Sequence, residues 1–336
     1  MHKAVSRARR ERGHVVSARL ACGRSSVWWG MYQLCARLWR QIGSGSWARS
    51  HRYSPAYLSN PLRRKCSGDR SLILSYDLFD GTVPDTPLVF LHGLFGSKSN
   101  FQSIAKVLVQ KTGRKVLTMD ARNHGNSPHS PVMTYEAMSV DVQRILHQLH
   151  FSTCILIGHS MGGKTAMAVA LQKPDMVERL VCVDISPVPI TGHSRFPTYI
   201  SAMNNIHLED QLPRSTARRL AEEQLRPVVQ EAAVRQFLLT NLVKKNGRYG
   251  WRLNLEAISH HLPDIMSFPE FHSAYPGPTL FLGGADSPYI SSEDYTEIER
   301  LFPEAEIQYI LGAGHWVHAD QTQEFIAAIC RFLLTS

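Results

Sequence analysis

Residues 155–163, with the sequence ILIGHSMGG, restrict the fold of this 336-residue chain more than any other segment. Three apolar residues that favour a strand run into a Gly-x-Ser-x-Gly pattern, and small residues typical of a helix follow as far as residue 171. A strand, a sharp turn and a helix in this order predict a nucleophile elbow. Gly158 and Gly162 leave room where a Cβ atom would collide with a neighbouring strand or helix. Ser160 would then lie at a helix N-terminus, where the dipole favours a developing negative charge.

Strand and helix patterns alternate on both sides of this elbow. Strand patterns lie at residues 72–79, 87–91, 115–119, 179–183, 278–282 and 307–310. Helical patterns lie at residues 100–110, 135–150, 294–301 and 323–334. This alternation predicts an α/β fold with a doubly wound, mostly parallel sheet that is flanked by helices. In such sheets the functional loops share the carboxyl edge of the strands, and we expect the loops at His92, Asp120 and Ser160 to meet there.

The alternation stops between about residues 187 and 271. Helical patterns at 212–225 and 228–242 replace it, and Trp251, Leu253 and Leu255 alternate only briefly. Because the strand pattern resumes directly afterwards, we expect a helical cap inserted over the strand ends rather than an independent second domain.

Basic residues are concentrated at the N-terminus. Up to residue 68 the chain has 14 Lys and Arg and one acidic residue, whereas the remainder has 23 basic and 27 acidic residues. The net charge of +9 therefore does not indicate a nucleic-acid partner. An Arg- and Ser-rich, acid-poor start is typical of an organellar transit peptide. We expect a largely disordered leader over residues 1–68 and a folded domain over 69–336, and no segment has the ~20 apolar residues of a transmembrane helix.

The sequence gives no indication of a cofactor or a metal. Neither a P-loop nor a dinucleotide-binding fingerprint is present, and the histidines lack zinc-ligand spacing. Beyond the leader, Cys154, Cys182 and Cys330 have no motif spacing, so we expect free thiols rather than disulfides.

Four motifs give the chain from about residue 72 onwards a resemblance to the α/β-hydrolases. They are HG at 92–93, the loop from Asp120 to HGNS at 124–127, GHSMGG at 158–163 and GAGHW at 312–316. Within that family the chain is most similar to a group that includes small bacterial esterases. The resemblance implies an α/β-hydrolase fold with a cap, and a serine hydrolase acting on a lipid ester, with acylglycerols the first class to test. It also implies a mitochondrial location, which we place in the matrix, and an association with the 2-oxoglutarate dehydrogenase complex.

Ser160 is the candidate nucleophile, and it needs a base because a serine hydroxyl is barely ionised at neutral pH. His315 is the best candidate, since it lies in a Gly-rich loop after the last strand and the order of Ser before His matches this fold. His318 is a weaker candidate for the base. We expect His92, His124 and His159 to brace backbone turns rather than to transfer protons.

The acid of the triad is left open between two positions. Asp286 lies in the loop after the strand at 278–282, the usual position in this fold, although Asp-Ser-Pro is also a good turn. Asp184 ends an apolar strand, where a carboxylate should have a strong partner because an unpaired buried charge is costly. The relatives often have Asn at the position of Asp286, whereas this chain has Asp at both. We favour Asp184, with Asp286 second and Glu256 third.

The oxyanion should be held by the backbone N–H groups of Met161 and Leu94, with Phe95 as a replacement for Leu94. A serine with a base indicates attack on an ester carbonyl, an acyl-enzyme and then water. Several apolar side chains could line an acyl pocket below the cap: Met133, Met138, Phe196, Met203, Phe237, Phe268 and Phe271.

Two other functions stay open at this point. The chain could be an interaction protein that protects an enzyme complex, in which case Ser160→Ala keeps the biological effect. It could also be an acyltransferase that uses an alcohol acceptor, which product analysis with water and alcohol in competition would distinguish.

Overall fold

Short strands rich in Val, Ile and Leu form the centre of the molecule. The computed structural model describes residues 71–190 and 195–334, which belong to one compact unit, Lys65–Ser336. The predicted leader at residues 1–68 lies outside the described residues and stays a prediction.

Within the described residues, seven strands form the main sheet, in the order β1-β3-β2-β4-β5-β8-β9. Only β1 runs antiparallel, along β3, so the prediction of a mostly parallel sheet is confirmed. The strands of the sheet are β1 (Tyr76–Phe79), β2 (Leu88–Leu91), β3 (Val116–Met119), β4 (Cys154–His159), β5 (Val177–Val183), β8 (Thr279–Gly284) and β9 (Ala305–Ile310).

Helices cover both faces of this sheet. They are α1 (Gln102–Thr112), α2 (Tyr135–Gln148), α3 (Met161–Gln172), α9 (Tyr295–Leu301), α10 (Val317–Asp320) and α11 (Thr322–Phe332). Successive residues of β4 alternate between the faces: Ile155 and Ile157 pack with α1 and α11, whereas Leu156 packs with α2, α3 and α9. Because both faces are buried, the strands read as continuous apolar runs instead of alternating ones.

The insertion between β5 and β8 contains helices and one hairpin. Its helices are α4 (Phe196–Asn204), α5 (Arg214–Leu225), α6 (Ala232–Leu239), α7 (Leu255–His260) and α8 (Leu262–Met266). The hairpin pairs β6 (Leu242–Lys245) with β7 (Arg248–Trp251). The helix expected at 228–242 is therefore shorter. Of the three residues that alternate briefly, only Trp251 lies in a strand, and Leu255 is the first residue of α7. Asn246 and Gly247 both have positive φ, 52° and 83°, as a two-residue type I′ turn requires.

The parallel strands deliver their loops to one edge of the sheet. The loops after β2, β4, β5, β8 and β9 all leave from the carboxyl ends of their strands, and the insertion packs against this edge through an apolar cluster that includes Leu94, Met161, Ile200 and Leu238. Among the described residues, no helix has the length and apolar character needed to cross a bilayer.

Candidate active site

The turn between β4 and α3 holds Ser160 in a strained conformation. Ser160 has φ 54° and ψ −120°, which a residue with a side chain rarely adopts, and it occupies the N-cap position of α3. A Cβ atom on Gly158 would lie 2.2 Å from the carbonyl oxygen of Gly162, and one on Gly162 would lie 2.3 Å from that of Leu91. A residue with a side chain therefore does not fit at position 158 or 162, as the sequence pattern predicts.

Ser160 lies at one end of a continuous chain of side-chain hydrogen bonds. Its Oγ is 3.1 Å from Nε2 of His315, and Nδ1 of His315 is 2.7 Å from Oδ2 of Asp184. Side-chain exposure falls along the chain from 17% at His315 to 1% at Asp184. The geometry is that of a nucleophile, a base and a buried acid that orients the base.

Asp184 is the carboxylate that the structure brings to His315. It follows β5 directly, and its Oδ1 accepts a hydrogen bond of 2.9 Å from the backbone N–H of Gly284. The hydroxyl of Ser287 donates to Oδ2, the oxygen that faces His315. These bonds satisfy a carboxylate that has no access to water, which is what a buried charge requires.

The two other candidate acids lie elsewhere. Asp286 is exposed in the turn after β8, and its backbone N–H donates to the carbonyl of Ala313 at 3.0 Å. Glu256 is exposed in the first turn of α7. The structure therefore brings Asp184, and not Asp286, to His315, and the turn that carries Asp286 points its immediate neighbour Ser287 at Asp184.

The loop that carries His315 is held on several sides. Tyr289 stacks on the imidazole with ring centroids 4.0 Å apart, and Nε2 of His159 hydrogen bonds the carbonyl of His315 at 2.8 Å. Oδ2 of Asp320 accepts a 2.9 Å bond from the N–H of Gly314, just before the histidine. None of these contacts was predicted, because no local sequence pattern indicates them.

Two backbone N–H groups beside Ser160 are open. Within the described part of the chain, no hydrogen-bond acceptor faces the N–H of Leu94 or of Met161. The N–H of Phe95, in contrast, donates to Nε2 of His124 at 3.1 Å. Leu94 and Met161 therefore fit an oxyanion hole, and Phe95 does not replace Leu94.

A family model described as the alpha/beta hydrolase fold matches residues 86–322. The chain belongs to the α/β-hydrolase family. The sn-1-specific diacylglycerol lipase ABHD11 of Xenopus laevis is 67% identical over 264 residues, which span 79% of this chain and 85% of that protein. The Mus musculus protein of the same name is 57% identical, with 79% and 86% covered. The solved structure of a marine microorganism esterase has a TM-score of 0.73 at 36% identity and covers 78% of this chain and 100% of its own.

These relatives and the site agree on the class of reaction. Relatives at this identity are named as lipases or esterases, and the hydrogen-bonded Ser160, His315 and Asp184 supply the groups that ester cleavage needs. The chain is a carboxylic ester hydrolase.

Three further histidines of the hydrolase brace loops around the site, as predicted. Nε2 of His92 accepts a 3.0 Å bond from the N–H of Ala121, and Nε2 of His124 holds the N–H of Phe95. Burial lowers the pKa of His92, that of His124 to about 3, and that of His159 well below its usual value. These rings are therefore neutral and serve as fixed donors and acceptors. Among the described residues, no group of three or more His, Cys, Asp or Glu is placed to hold a metal ion.

A cavity of about 550 Å³ opens above Ser160 of the hydrolase. Its walls are mainly apolar and come from the loop after β2, from the insertion and from the His315 loop; they include Leu94, Phe95, Phe196, Tyr199, Val234, Phe237, Leu238 and Trp316. Of the seven apolar residues predicted for this pocket, Phe196 and Phe237 line it. Met133 and Met203 are fully buried in the cluster behind it, so for most of the set a core role is the correct one.

Lys164 is a buried residue of the hydrolase that the sequence did not single out. It lies one turn after Ser160 on α3 and is 0% exposed. Its Nζ donates to the carbonyls of Val188 and Ser267 at 2.8 Å each, and to that of Met266 at 3.3 Å. Burial lowers its pKa to about 7, whereas the nearby Asp294 opposes that change. One side chain on the nucleophile helix thus holds both ends of the insertion.

Proposed function

We propose that the chain hydrolyses ester bonds of acylglycerols, diacylglycerol first among them, through an acyl-enzyme on Ser160. The observation that carries this proposal is the Ser160–His315–Asp184 chain at the floor of an apolar cavity large enough for an acyl group. The names of the relatives in Xenopus laevis and Mus musculus support diacylglycerol as the substrate.

The acylation step begins with proton transfer. His315 takes the hydroxyl proton of Ser160 at Nε2 while Oγ forms a bond to the ester carbonyl carbon. The carbonyl oxygen becomes an oxyanion between the N–H groups of Leu94 and Met161. Asp184 stabilises the imidazolium through Nδ1 without taking its proton. His315 then gives its proton to the alcohol oxygen as the C–O bond breaks, and the alcohol departs.

The deacylation step repeats the sequence with water. A water molecule gives a proton to His315 while its oxygen bonds to the acyl carbon, and the same two N–H groups hold the second oxyanion. The bond to Oγ of Ser160 then breaks, and the serine regains its proton from His315. The products are the free fatty acid and the enzyme in its starting state.

The insertion is the cap in this proposal. It supplies Phe196, Val234 and Leu238 to the wall of the cavity above Ser160. An apolar wall of this kind binds acyl chains by burial, at roughly 0.8 kcal/mol per methylene group.

Fatty-acid release from 1,2-dioctanoyl-glycerol by the purified full-length protein tests the proposal. We expect the native chain to release octanoic acid and to leave 2-octanoylglycerol, the product of cleavage at sn-1, and we expect no release by Ser160→Ala. Ser201→Ala, on the exposed side of α4, is the matched control and should retain the native rate. Retained hydrolysis in Ser160→Ala would refute the proposal, and octanoate transferred to added ethanol in preference to water would make the chain an acyltransferase.

The location and the partner are further parts of this proposal. The basic, acid-poor leader supports import into the mitochondrial matrix, and the family resemblance supports association with the 2-oxoglutarate dehydrogenase complex. Sequencing the N-terminus of the mature protein from isolated mitochondria tests the first. Co-purification of the complex with the native chain and with Ser160→Ala tests whether a partner role exists and whether it needs catalysis.

A further inference from the structure

A second cavity adjoins the acyl pocket. This cleft has a volume of about 340 Å³ and lies between α1, α6 and the segment that follows His315. Asn100, Phe237, Trp316 and His318 line both cavities, so the two are contiguous. Of these residues, Phe237 and Trp316 meet edge to face with ring centroids 5.8 Å apart.

The cleft differs from the acyl pocket in its chemistry. Polar side chains contribute much of its lining: Asn100, Ser103, His318, Asp320 and Thr322. Asp320 is the one residue of this described lining that carries a full charge, and that charge is negative. A phosphate or carboxylate would be repelled there, whereas an uncharged hydroxyl would find donors and acceptors.

His318 is the buried polar group between the two cavities. It is only 5% exposed and packs against the rings of Phe101 and His159, with centroids 4.8 and 4.7 Å away. No described residue accepts from or donates to its Nδ1, although nearly all buried polar atoms in folded proteins have a partner. Burial lowers its pKa to about 4, so the ring is neutral and can both donate and accept.

The proton transfer to the leaving group indicates which part of the ester this cleft can bind, namely the alcohol. The leaving oxygen is the one that takes the proton from His315, so the alcohol must lie beside that ring. Ser160 and His315 line the first cavity, and Trp316 and His318, one and three residues after His315, line both the first cavity and the cleft. An alcohol that extends from His315 past these two side chains would enter the cleft.

We propose that the cleft binds the alcohol portion of the ester and that His318 recognises a free hydroxyl on it. The ligand is an uncharged alcohol with a second hydroxyl, such as the glycerol of a partial acylglycerol. This inference rests on the proposed ester hydrolysis by Ser160 and adds the selection of the leaving group, which the triad itself does not provide.

Two esters that differ in one group test the inference on the full-length protein. 2-Hydroxyethyl octanoate and propyl octanoate share their acyl group and their size, and only the first has a hydroxyl. We expect the native chain to prefer the hydroxyethyl ester by about two- to tenfold in kcat/KM, the range of one net hydrogen bond. An equal or reversed preference overturns the inference. If neither ester is cleaved, ester hydrolysis itself fails and the inference falls with it.

Variants of His318 test whether its imidazole causes the preference for the hydroxyethyl ester. His318→Phe keeps an aromatic ring beside Phe101 and removes both nitrogens, so the ratio of the two kcat/KM values should fall to about one. His318→Gln keeps a donor and an acceptor and should retain part of the preference. The ratio does not depend on the active fraction of a preparation, because both esters are measured on the same sample.

Val234→Ala is the matched control for the pocket. Val234 lines the acyl pocket and not the cleft, so the change should alter both esters equally and leave the ratio at its native value. An unchanged ratio in His318→Phe, or a lost preference in Val234→Ala, overturns the assignment to His318.

Discussion

The sheet edge and the cap contribute to the site in different ways. The sheet edge holds its reactive groups by polar contacts of 2.7–3.1 Å between side chains and loops, as at Asp184 and His315. The cap contributes apolar walls, such as Val234 and Leu238, and a few bonds from its side chains to the sheet domain, such as Nδ2 of Asn241 to the carbonyl of Phe95 at 2.8 Å.

This contrast indicates that the sheet edge and the cap have different roles in one site. Changes at the sheet edge should lower the rate for every ester, because they remove groups that act in each transition state. Changes in the cap should redistribute rates among esters, because its walls touch the parts of the substrate that do not react. Lys164 belongs to both regions, since it lies on the nucleophile helix and holds both ends of the cap.

The largest expected effect comes from Asp184. Asp184→Asn leaves the size of the side chain unchanged but removes the charge that stabilises the imidazolium of His315, so kcat should fall by roughly 10³-fold or more for any ester. Asp286→Asn is the matched control and should stay within about twofold, because its carboxylate is exposed and away from His315. Steady-state kinetics on one short-chain and one long-chain ester make the measurement. A large loss of kcat in Asp286→Asn would identify Asp286 as the acid instead.

We also expect buried histidines of the sheet domain to lower the stability of the protein at acidic pH. The pKa of His124 is lowered to about 3 and that of His318 to about 4, whereas each titrates near 6.5 in the unfolded chain. Below pH 6.5 the unfolded chain binds these protons and the folded chain does not, so the free energy of unfolding falls as the pH falls. We expect a loss of about 2 kcal/mol per residue between pH 6.5 and 5.

Urea unfolding of the native chain and of His318→Phe at pH 7 and pH 5 measures this effect. The variant should lose about 2 kcal/mol less than the native chain over that range, because one of the titrating rings is gone. Identical pH dependence in the two proteins would contradict the account of His318 as a buried neutral ring.

Loss of the link between the two regions should have an intermediate effect. Lys164→Met keeps the length of the side chain and leaves the carbonyls of Val188 and Ser267 without their donor, which should lower the free energy of unfolding by about 2–3 kcal/mol. Lys173→Met, near the exposed end of the same helix, should change it by less than about 0.5 kcal/mol. Urea unfolding gives the energies, and limited proteolysis shows whether the cap junctions are cut first. Equal effects in the two variants would show that Lys164 is not the link.

The smallest expected effect lies in the cap wall. Val234→Phe adds volume to the acyl pocket and should shift kcat/KM from long to short acyl chains by about tenfold, the scale of one or two methylene groups. A series of p-nitrophenyl esters from acetate to dodecanoate measures the shift. An equal loss of kcat/KM for all acyl lengths would contradict the different roles of the cap and the sheet edge.

The sequence predicted best what is encoded locally. The elbow was predictable because Gly158, Ser160 and Gly162 lie within five residues and each is required by the turn itself. The Asn246–Gly247 turn also has a local signal, the strongest one for a short hairpin, although the prediction for the insertion contains no hairpin.

Choices that depend on distant neighbours were not predictable. Asp184 and Asp286 both follow buried strands, and the first lies beside His315 only once β5, β8 and β9 are paired in the folded sheet. Leu94 and Phe95 are adjacent, and the second loses its N–H to His124, 29 residues further along the chain. Lys164 had no sequence signal, because its partners are backbone carbonyls, which every residue has.

The acyl-enzyme is the most direct test of the account. The full-length protein is mixed with p-nitrophenyl octanoate, quenched in acid within the first turnovers, and digested for peptide mass spectrometry. We expect one octanoyl group on Ser160 in the native chain and none in His315→Ala or Ser160→Ala. Ester hydrolysis at the native rate by Ser160→Ala, or an octanoyl group found on another residue instead, would contradict it.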